Sequence, residues 1–215
     1  MADIKAEDFG KLLGSHCIAK LLSGEEVAGT LSAGSINNGY LGKITIKKED
    51  GTKLKLSPDQ LSSLKVKAGK AAKWTMMSES ANSIQALTKA DFQKIQNQEY
   101  IFFETTTRVK SEKQNLMQLL NPDFDSKIKV FPDPKAKQTK GIGLGGVQLT
   151  GGDDKSYLFV KNGEATELVK KGSYKKNFDD LYSDCPEMIK AFTGEKIKWS
   201  DVAGHVYAYD NLCKK

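Results

Sequence analysis

The chain has 215 residues, a formal net charge of +6 and 39% hydrophobic residues. This length suits one large domain or two small ones with a real hydrophobic core, and the composition excludes a disordered chain. No apolar run approaches the ~18 residues that a membrane-spanning helix needs. The N-terminal stretch of the given sequence lacks a signal-peptide pattern, so we expect nothing in it to direct export.

The basic charge comes almost entirely from lysine, because Arg108 is the only arginine among 33 basic residues. Arginine supplies the bidentate fork that reads guanine edges and clamps phosphates, whereas lysine supplies a point charge. The lysines are also interleaved with acidic residues along the chain. We therefore expect a solvated surface and regard nucleic-acid binding as a disfavoured function.

The first seventy residues have the pattern of a small β unit. Residues 44–56 alternate apolar and polar side chains about an Asp50-Gly51 turn, which predicts a hairpin, and two further strands are predicted before it. Pro58 opens a single helical turn, and a closing strand follows. Short, bent strands of this kind favour an SH3-like or Sm-like half-barrel.

Residues 67–73 are small, basic and without apolar periodicity, so they predict a linker. We therefore divide the chain into a small β-barrel-like unit of residues 1–70 and a second part of residues 71–215. The second part is expected to hold a central antiparallel sheet and a C-terminal helical cap. Strands early in the chain and helices late in it indicate the α+β class.

The middle of the chain is mostly strand. Residues 99–109, EYIFFETTTRV, are aromatic and β-branched and carry the strongest strand signal, whereas residues 83–96 favour a helix. The stretches on either side of Asn121-Pro122 are expected to pair, with Pro132 ending the second of them. Asn162-Gly163 lies between two β segments and predicts a type I′ hairpin turn.

Residues 139–152, TKGIGLGGVQLTGG, contain the spacing G-x-G-x-x-G of a dinucleotide-binding turn. That turn works only between a buried strand and a helix whose free N–H groups meet the pyrophosphate. Here two prolines and several polar residues precede Gly141, and no helical pattern follows Gly146. We therefore expect a β connection or loop, with no helix starting at Gly146 and no nucleotide cofactor.

The C-terminal part changes to a helical period. One helical face is predicted first, a second helix is expected after a cap at Ser183 or Asp184, and Gly194 ends it. A last helix, capped by Ser200, carries apolar residues on one side. The first face consists of Tyr174, Phe178, Leu181 and Tyr182, and the last of Val202, Val206 and Tyr209.

Side chains able to carry chemistry are few. His16 adjoins Cys17, but neighbours in a strand point to opposite faces, so we interpret Cys17 as a small buried side chain rather than a nucleophile. His205 is expected to pack in the core or to partner Tyr174 or Tyr182. No zinc or calcium spacing occurs in the sequence, so neither a metal site nor a catalytic residue is predicted.

An acidic patch is predicted near the start of the C-terminal helices. Paired carboxylates can perform acid–base catalysis, but carboxylates at helix starts commonly stabilise the helix N-terminus by electrostatics. We favour the second interpretation. The patch consists of Asp179, Asp180, Asp184 and Glu187.

The stretch YLFVKNGEATELVKKGSYKKNFDDLYSDCPEMIKAF and the later VYAYDNLC resemble a group of uncharacterised proteins from Bacteroidota. In that group a hairpin with a lysine-rich exit precedes a helix pair with a D-C-P motif, and a helix with a Y-N-x-C-like end closes the chain. The opening β unit, with Ser-Pro-Asp before its closing strand, is similar too. The resemblance implies an exported protein of the cell envelope, and it brings no activity, substrate or catalytic residue with it.

The resemblance also implies a disulfide between Cys185 and Cys213, with Cys17 left as a buried free thiol. Helix geometry argues against this bond. If the last two helices are antiparallel about a loop near Lys196, Cys185 lies opposite Tyr207 rather than opposite Cys213. The two cysteines are then displaced by ~9 Å along the helices, which is too far for a disulfide. The bond then requires crossed helices or an unwound last turn. In a reducing compartment all the thiols would stay free.

We expect a non-catalytic binding or structural protein, placed in the cell envelope by the resemblance, with an unidentified protein or surface ligand as partner. A second hypothesis is a cytoplasmic Sm-like or SH3-like module that contacts RNA or an acidic partner through its lysines. A third is a hydrolase that uses the patch from Asp179 to Glu187.

Overall fold

A computed structural model of the chain describes residues 9–37, 40–67, 99–107, 114–136, 143–144, 147–148, 156–163 and 167–213. Its described strands form a large seven-stranded sheet, a small three-stranded sheet and two short two-stranded ladders, all antiparallel, and its longer helices lie at the C-terminal end. The α+β class predicted from the sequence is confirmed. None of the described helices has the length and apolar character needed to cross a membrane.

The described strands are β1 (His16–Leu21), β2 (Glu26–Ala33), β3 (Ile36–Asn37), β4 (Tyr40–Leu41), β5 (Ile44–Lys47), β6 (Lys53–Leu56), β7 (Leu61–Lys67), β8 (Tyr100–Thr107), β9 (Gln114–Leu119), β10 (Ile128–Pro132), β11 (Gly143–Leu144), β12 (Val147–Gln148), β13 (Ser156–Lys161) and β14 (Glu167–Lys170). The described helices are α1 (Lys171–Tyr174), α2 (Phe178–Leu181), α3 (Pro186–Phe192) and α4 (Val202–Leu212). Turns of 3-10 helix span Phe9–Leu12, Pro58–Gln60 and Trp199–Asp201.

The large sheet has seven strands in the order β6-β5-β2-β1-β7-β8-β9. The predicted hairpin about Asp50-Gly51 is formed by β5 and β6, and the predicted closing strand is β7, which follows the turn opened by Pro58. In the described part of the chain the sheet is open, with β6 and β9 at its two ends. The barrel-like expectation is therefore wrong, because β8 and β9 extend the sheet beyond β7 instead of the sheet closing on itself.

The large sheet also continues past the domain boundary predicted at residue 70. Residues 100–104 of β8 pair with residues 63–67 of β7, and β9 pairs with β8 in turn. Ile101 and Phe103 share one buried core with the strands of the N-terminal unit. The strongest strand signal in the sequence thus adds a strand to the N-terminal sheet. Most of the predicted linker, from residue 68 on, and the predicted helix over residues 83–96 lie outside the described residues.

Buried and exposed side chains alternate along the strands of the large sheet, so one face of the sheet packs on the core. In β1, Cys17 and Ala19 are buried whereas His16 and Lys20 are exposed, and the same period of two recurs in β2 and β5. The 3-10 turn Phe9–Leu12 buries both of its terminal side chains in this core. The opposite face of the sheet carries the polar side chains of these strands.

Gly29 permits a close approach between β2 and β5. A Cβ atom at this position would lie 2.5 Å from the Lys47 carbonyl oxygen and 2.7 Å from Ile46 Cγ2. Real Cβ atoms do not approach backbone oxygens this closely, so a side chain here would push the two strands apart.

We expect Gly29→Ala to lower the free energy of unfolding by about 1 to 3 kcal/mol, because the added methyl group overpacks a backbone contact. Urea denaturation measures the change. Gly172→Ala is the matched control, since Gly172 lies in α1 and no atom lies within 4 Å of the place that a methyl group would occupy there. Alanine at this position should be neutral or stabilising, and equal losses in the two variants would contradict the close-approach argument.

The small sheet has the strand order β10-β13-β14 and lies between the large sheet and the helices. On one face, Phe131 and Leu158 pack with Met117 and Leu119 of β9. On the other face, Phe159 and neighbouring side chains pack with the helical region. Burial on both faces explains why β13 is a continuous apolar run in the sequence rather than an alternating one.

The stretches on either side of Asn121-Pro122 do not form the predicted ladder. β9 pairs with β8, whereas β10 pairs with β13. The buried Asn121 side chain donates to the carbonyls of Phe124 and Ile128 and accepts from the Val130 N–H, at 2.7 to 2.8 Å. These bonds satisfy the backbone of the turn, so the chain can pass from one sheet to the other. β10 ends at Pro132 as predicted.

The glycine-rich stretch is extended where it is described. Gly143 and Leu144 pair with Val147 and Gln148 as a short antiparallel ladder. The residues directly after Gly146 are therefore in a strand, and the prediction that no helix starts there is confirmed.

The Asn162-Gly163 turn lies between paired strands β13 and β14, as predicted. Asn162 has φ of 50° and Gly163 has φ of 76°, so both turn residues occupy the left-handed region that a type I′ turn requires. Glycine adopts this conformation freely, and a β-branched residue resists it.

Gly163→Val is expected to destabilise the protein by about 1 to 3 kcal/mol through backbone strain. Asn162→Gly keeps easy access to positive φ and should change the denaturation midpoint very little. If the valine variant unfolds at the wild-type urea concentration, the turn is not as described.

The helical region buries the faces that the sequence predicts. The residues of the predicted first face are all buried, but they do not lie on one helix: Tyr174 ends α1, Phe178 and Leu181 lie in α2, and Tyr182 directly follows α2. The last helix buries its predicted face as well.

The helix starts differ from the prediction. α3 is preceded by Cys185 rather than capped at Ser183 or Asp184, and α4 by Asp201 rather than Ser200. In the second case a 3-10 turn leads the chain into the helix and moves its start.

Candidate functional site

His16 and Cys17 do not form a catalytic pair. They point to opposite faces of β1 as predicted, with His16 exposed and Cys17 fully buried. Burial raises the pKa of the Cys17 thiol to about 11, so the thiol is protonated at neutral pH. A buried, protonated thiol is a poor nucleophile.

The predicted acidic patch is divided between two environments. Asp179 and Asp180 are exposed in the first turn of α2, and Glu187 is exposed in the first turn of α3. These positions agree with the helix-start interpretation, since negative charge is favourable there. Asp184 instead takes part in a network that reaches the hairpin turn.

Asp184 links the β13–β14 hairpin to the helices. Its two carboxylate oxygens accept hydrogen bonds from Lys161 Nζ and from the Tyr209 hydroxyl, each at 2.6 Å. The Lys161 ammonium also donates to the Leu181 carbonyl at 2.6 Å. Burial raises the pKa of Asp184, but these hydrogen bonds outweigh burial and leave the pKa below its ordinary value. The carboxylate is thus held ionised as a connector between elements.

His205 lies in an aromatic cluster at the centre of the helical region. It is 2% exposed, and its Nδ1 lies 2.9 Å from the Tyr174 hydroxyl, which is 3.3 Å from the Tyr182 hydroxyl. Phe178 and Phe192 direct their rings at the imidazole from 5.0 and 4.8 Å. The predicted packing role and the predicted Tyr174 contact are both present.

Burial of the imidazole sets its charge. It lowers the pKa of His205 from 6.5 to about 4, although the nearby Asp201 carboxylate acts in the opposite direction. The ring is therefore neutral at physiological pH. Burial likewise raises the pKa values of Tyr174 and Tyr182. A neutral imidazole enclosed by neutral phenols and aromatic rings stabilises the core.

A disulfide joins Cys185 to Cys213, with the Cα atoms 5.5 Å apart. Cys185 directly precedes α3, and Cys213 directly follows α4 in an extended conformation. The misfit expected for cysteines inside antiparallel helices does not arise, because neither residue lies within a helix. Lys127 Nζ donates to the carbonyls of Asp210 and Cys213 and so holds this end of the chain. Cys17 is a free, buried cysteine.

The sequence pattern did not predict one feature of the fold, a set of lysines on the exposed side of the large sheet. These residues are spread over nearly fifty positions of the chain, so the sequence suggests only a solvated surface. The folded sheet brings them together on the face opposite the core, which we call the lysine face. Its lysines are Lys20, Lys47, Lys53, Lys55, Lys65 and Lys67, and all are exposed.

A shallow groove of about 700 Å³ runs along part of the lysine face. His16, Thr30 and Lys47 line it with Ala28 and Gly29, and the β5–β6 turn borders one end with Lys48, Glu49 and Asp50. Asp50 accepts a hydrogen bond from the Thr52 N–H at 2.8 Å, so its carboxylate is used within the turn. The groove is open, and its charged lining residues are Lys47 on the strand side and Lys48, Glu49 and Asp50 at the turn.

Among the described residues, no group of three or more His, Cys, Asp or Glu side chains is placed to hold a metal ion. Comparisons with protein-family models, curated proteins and solved structures find no match for this chain. The similarity to the Bacteroidota group thus stays a prediction from the sequence motifs.

Proposed function

We propose that this chain is a non-catalytic binding or structural protein of the cell envelope. The observation that carries the proposal is the disulfide between Cys185 and Cys213, whose two residues are both buried. Disulfides form and persist in oxidising compartments and are rare in the cytosol, where thiols are kept reduced. A protein whose helical region is closed by a disulfide suits a compartment outside the cytosol.

The polar networks support the non-catalytic part of the proposal. Asp184 uses both oxygens to join the β13–β14 hairpin to the helices, and His205 is enclosed by aromatic rings. A catalytic acid or base needs an accessible position and a pKa suited to proton transfer near the working pH. His205 is buried, with a pKa held well below neutral pH. The Asp184 side chain is 42% exposed, but both of its oxygens accept hydrogen bonds from the protein's own side chains and its pKa is below its ordinary value.

Counting the free thiols of the native protein tests whether it resides in an oxidising compartment. Protein from its native cells is trapped with an alkylating reagent, denatured without reductant, alkylated again and weighed by mass spectrometry. We expect one labelled thiol, Cys17, before reduction and three after it. Three labels before reduction would contradict an oxidising compartment, and fractionation of the same cells should place the protein outside the cytosol.

A further inference from the structure

The lysine face is built by strand register. Lys53 of β6 is opposite Lys47 of β5, and Lys47 is opposite Thr30 of β2. Thr30 is in turn opposite His16 of β1. The Cys17–Val66 pair places Lys67 of β7 next along the same line. Neighbouring strands lie about 4.8 Å apart, so this row of side chains runs for roughly 20 Å across the sheet.

The charges of this row are not neutralised by the protein. Within the described part of the chain, none of the lysines of the lysine face makes an ion pair. Two acidic residues lie on strands on the same side of the sheet, Glu26 opposite Lys20 and Glu104 opposite Ser63, and Glu49 and Asp50 border the groove at the β5–β6 turn beside Lys48. Glu104 already binds Lys129 of the small sheet. A surface with an excess of unpaired lysines attracts an anionic partner.

The side chains between the lysines favour one kind of polyanion. On β1 and β2 they are Ile18, Ala28 and Thr30, which have no aromatic ring. On β8, Tyr100 lies opposite Lys67, and Phe102 lies opposite Lys65, whose ammonium is 5.7 Å from the centre of the Phe102 ring. Neither of these rings lines the groove, where bases would have to stack. Lysine supplies point charges rather than the planar fork with which arginine clamps phosphates. A row of separated point charges beside a shallow, hydroxyl-bearing groove suits a linear chain that carries carboxylates at regular intervals.

We infer that the lysine face binds an extended acidic polysaccharide, which lies across the strands along the Lys53–Lys47–His16–Lys67 row. The inference rests on the proposed function for the compartment, because acidic polysaccharides occur at cell surfaces. The partner's carboxylates pair with the lysines, and its hydroxyl groups exchange hydrogen bonds with Thr30 and His16 in the groove. The contact is electrostatic and shallow, so its affinity falls as salt rises.

Fluorescence anisotropy with labelled polygalacturonate tests the inference, using the oxidised full-length protein at low salt. The row variant is Lys47→Gln/Lys53→Gln/Lys67→Gln. The control, Lys171→Gln/Lys175→Gln/Lys176→Gln, removes the same charge from exposed lysines of the helical region. We expect the row variant to weaken binding by about tenfold, and the control by less than about twofold. Neutral dextran should not compete.

Four results would overturn the inference. These are no binding of polygalacturonate at low salt, equal losses in the two triple variants, tighter binding of polyuridylate, and tighter binding of anionic phosphatidylglycerol vesicles. Circular dichroism and a melting curve show that each variant is folded. The thiol count before reduction keeps the two proposals separate. If one thiol is labelled and polygalacturonate does not bind, only the polysaccharide site is contradicted. If three thiols are labelled and polygalacturonate still binds, only the assignment to the cell envelope is contradicted.

Discussion

Replacing Cys185 and Cys213 together with alanine is expected to lower the free energy of unfolding by about 3 to 4 kcal/mol. The disulfide links residues 28 positions apart and so restricts the unfolded chain. It also holds the end of α4 beside the start of α3, where both cysteines are buried. Urea denaturation at equal protein concentration, with and without reductant, measures the loss.

The reductant supplies the matched control. Wild-type protein should lose about as much stability on reduction as the double variant loses by substitution, and the double variant should not respond to reductant. Cys17 is present in both proteins, so its thiol cannot account for a difference. A wild-type protein whose stability is the same with and without reductant would show that the disulfide does not stabilise the fold.

Acidification from pH 7 to pH 4 is expected to cost about 3 kcal/mol of stability through His205 alone. Burial holds the pKa of His205 at about 4 in the folded protein, below its ordinary value of 6.5. The unfolded chain therefore takes up a proton below pH 6.5, whereas the folded protein takes it up only near pH 4. Because the unfolded state binds more protons in this window, stability is lost as the pH falls through it.

The two histidines of the chain provide a matched pair for this measurement. Urea denaturation at pH 7 and pH 4 should show a smaller loss for His205→Gln than for the wild type, whatever the variant's absolute stability. His16→Gln, at an exposed position, should retain the wild-type loss. If His205→Gln keeps the full pH dependence, other groups are responsible for it.

Local patterns predicted individual elements well. The Asp50-Gly51 and Asn162-Gly163 turns lie where the sequence predicts them, because a hairpin turn needs residues that tolerate positive φ and few residue types do. The opposite directions of His16 and Cys17 follow from the period of two in a strand. The buried faces of the C-terminal helices follow from the helical period in the same way.

Contacts between distant segments were decided by the tertiary structure. Residues 100–104 pair with β7, although the sequence predicted a domain boundary between them at residue 70. The alternation of apolar and polar residues within a strand does not specify which other strand it pairs with. Similarly, Tyr174 meets His205, and Lys161 meets Asp184, only once sheet and helices pack. The resemblance suggested the Cys185–Cys213 pair, whereas the position of each cysteine just outside a helix is a property of the fold.

The lysine face shows most clearly which features the sequence determines and which depend on the tertiary structure. The sequence pattern assigns Lys67 to the predicted linker, whereas the structure places it at the end of β7. By itself the sequence determined that Lys47 and Lys53 point away from the core, because each alternates with apolar residues along its own strand. It did not determine that they share one row, since that depends on strand order and register. Those are selected by the packing of buried side chains on the opposite face, where a shift of one residue would expose the core.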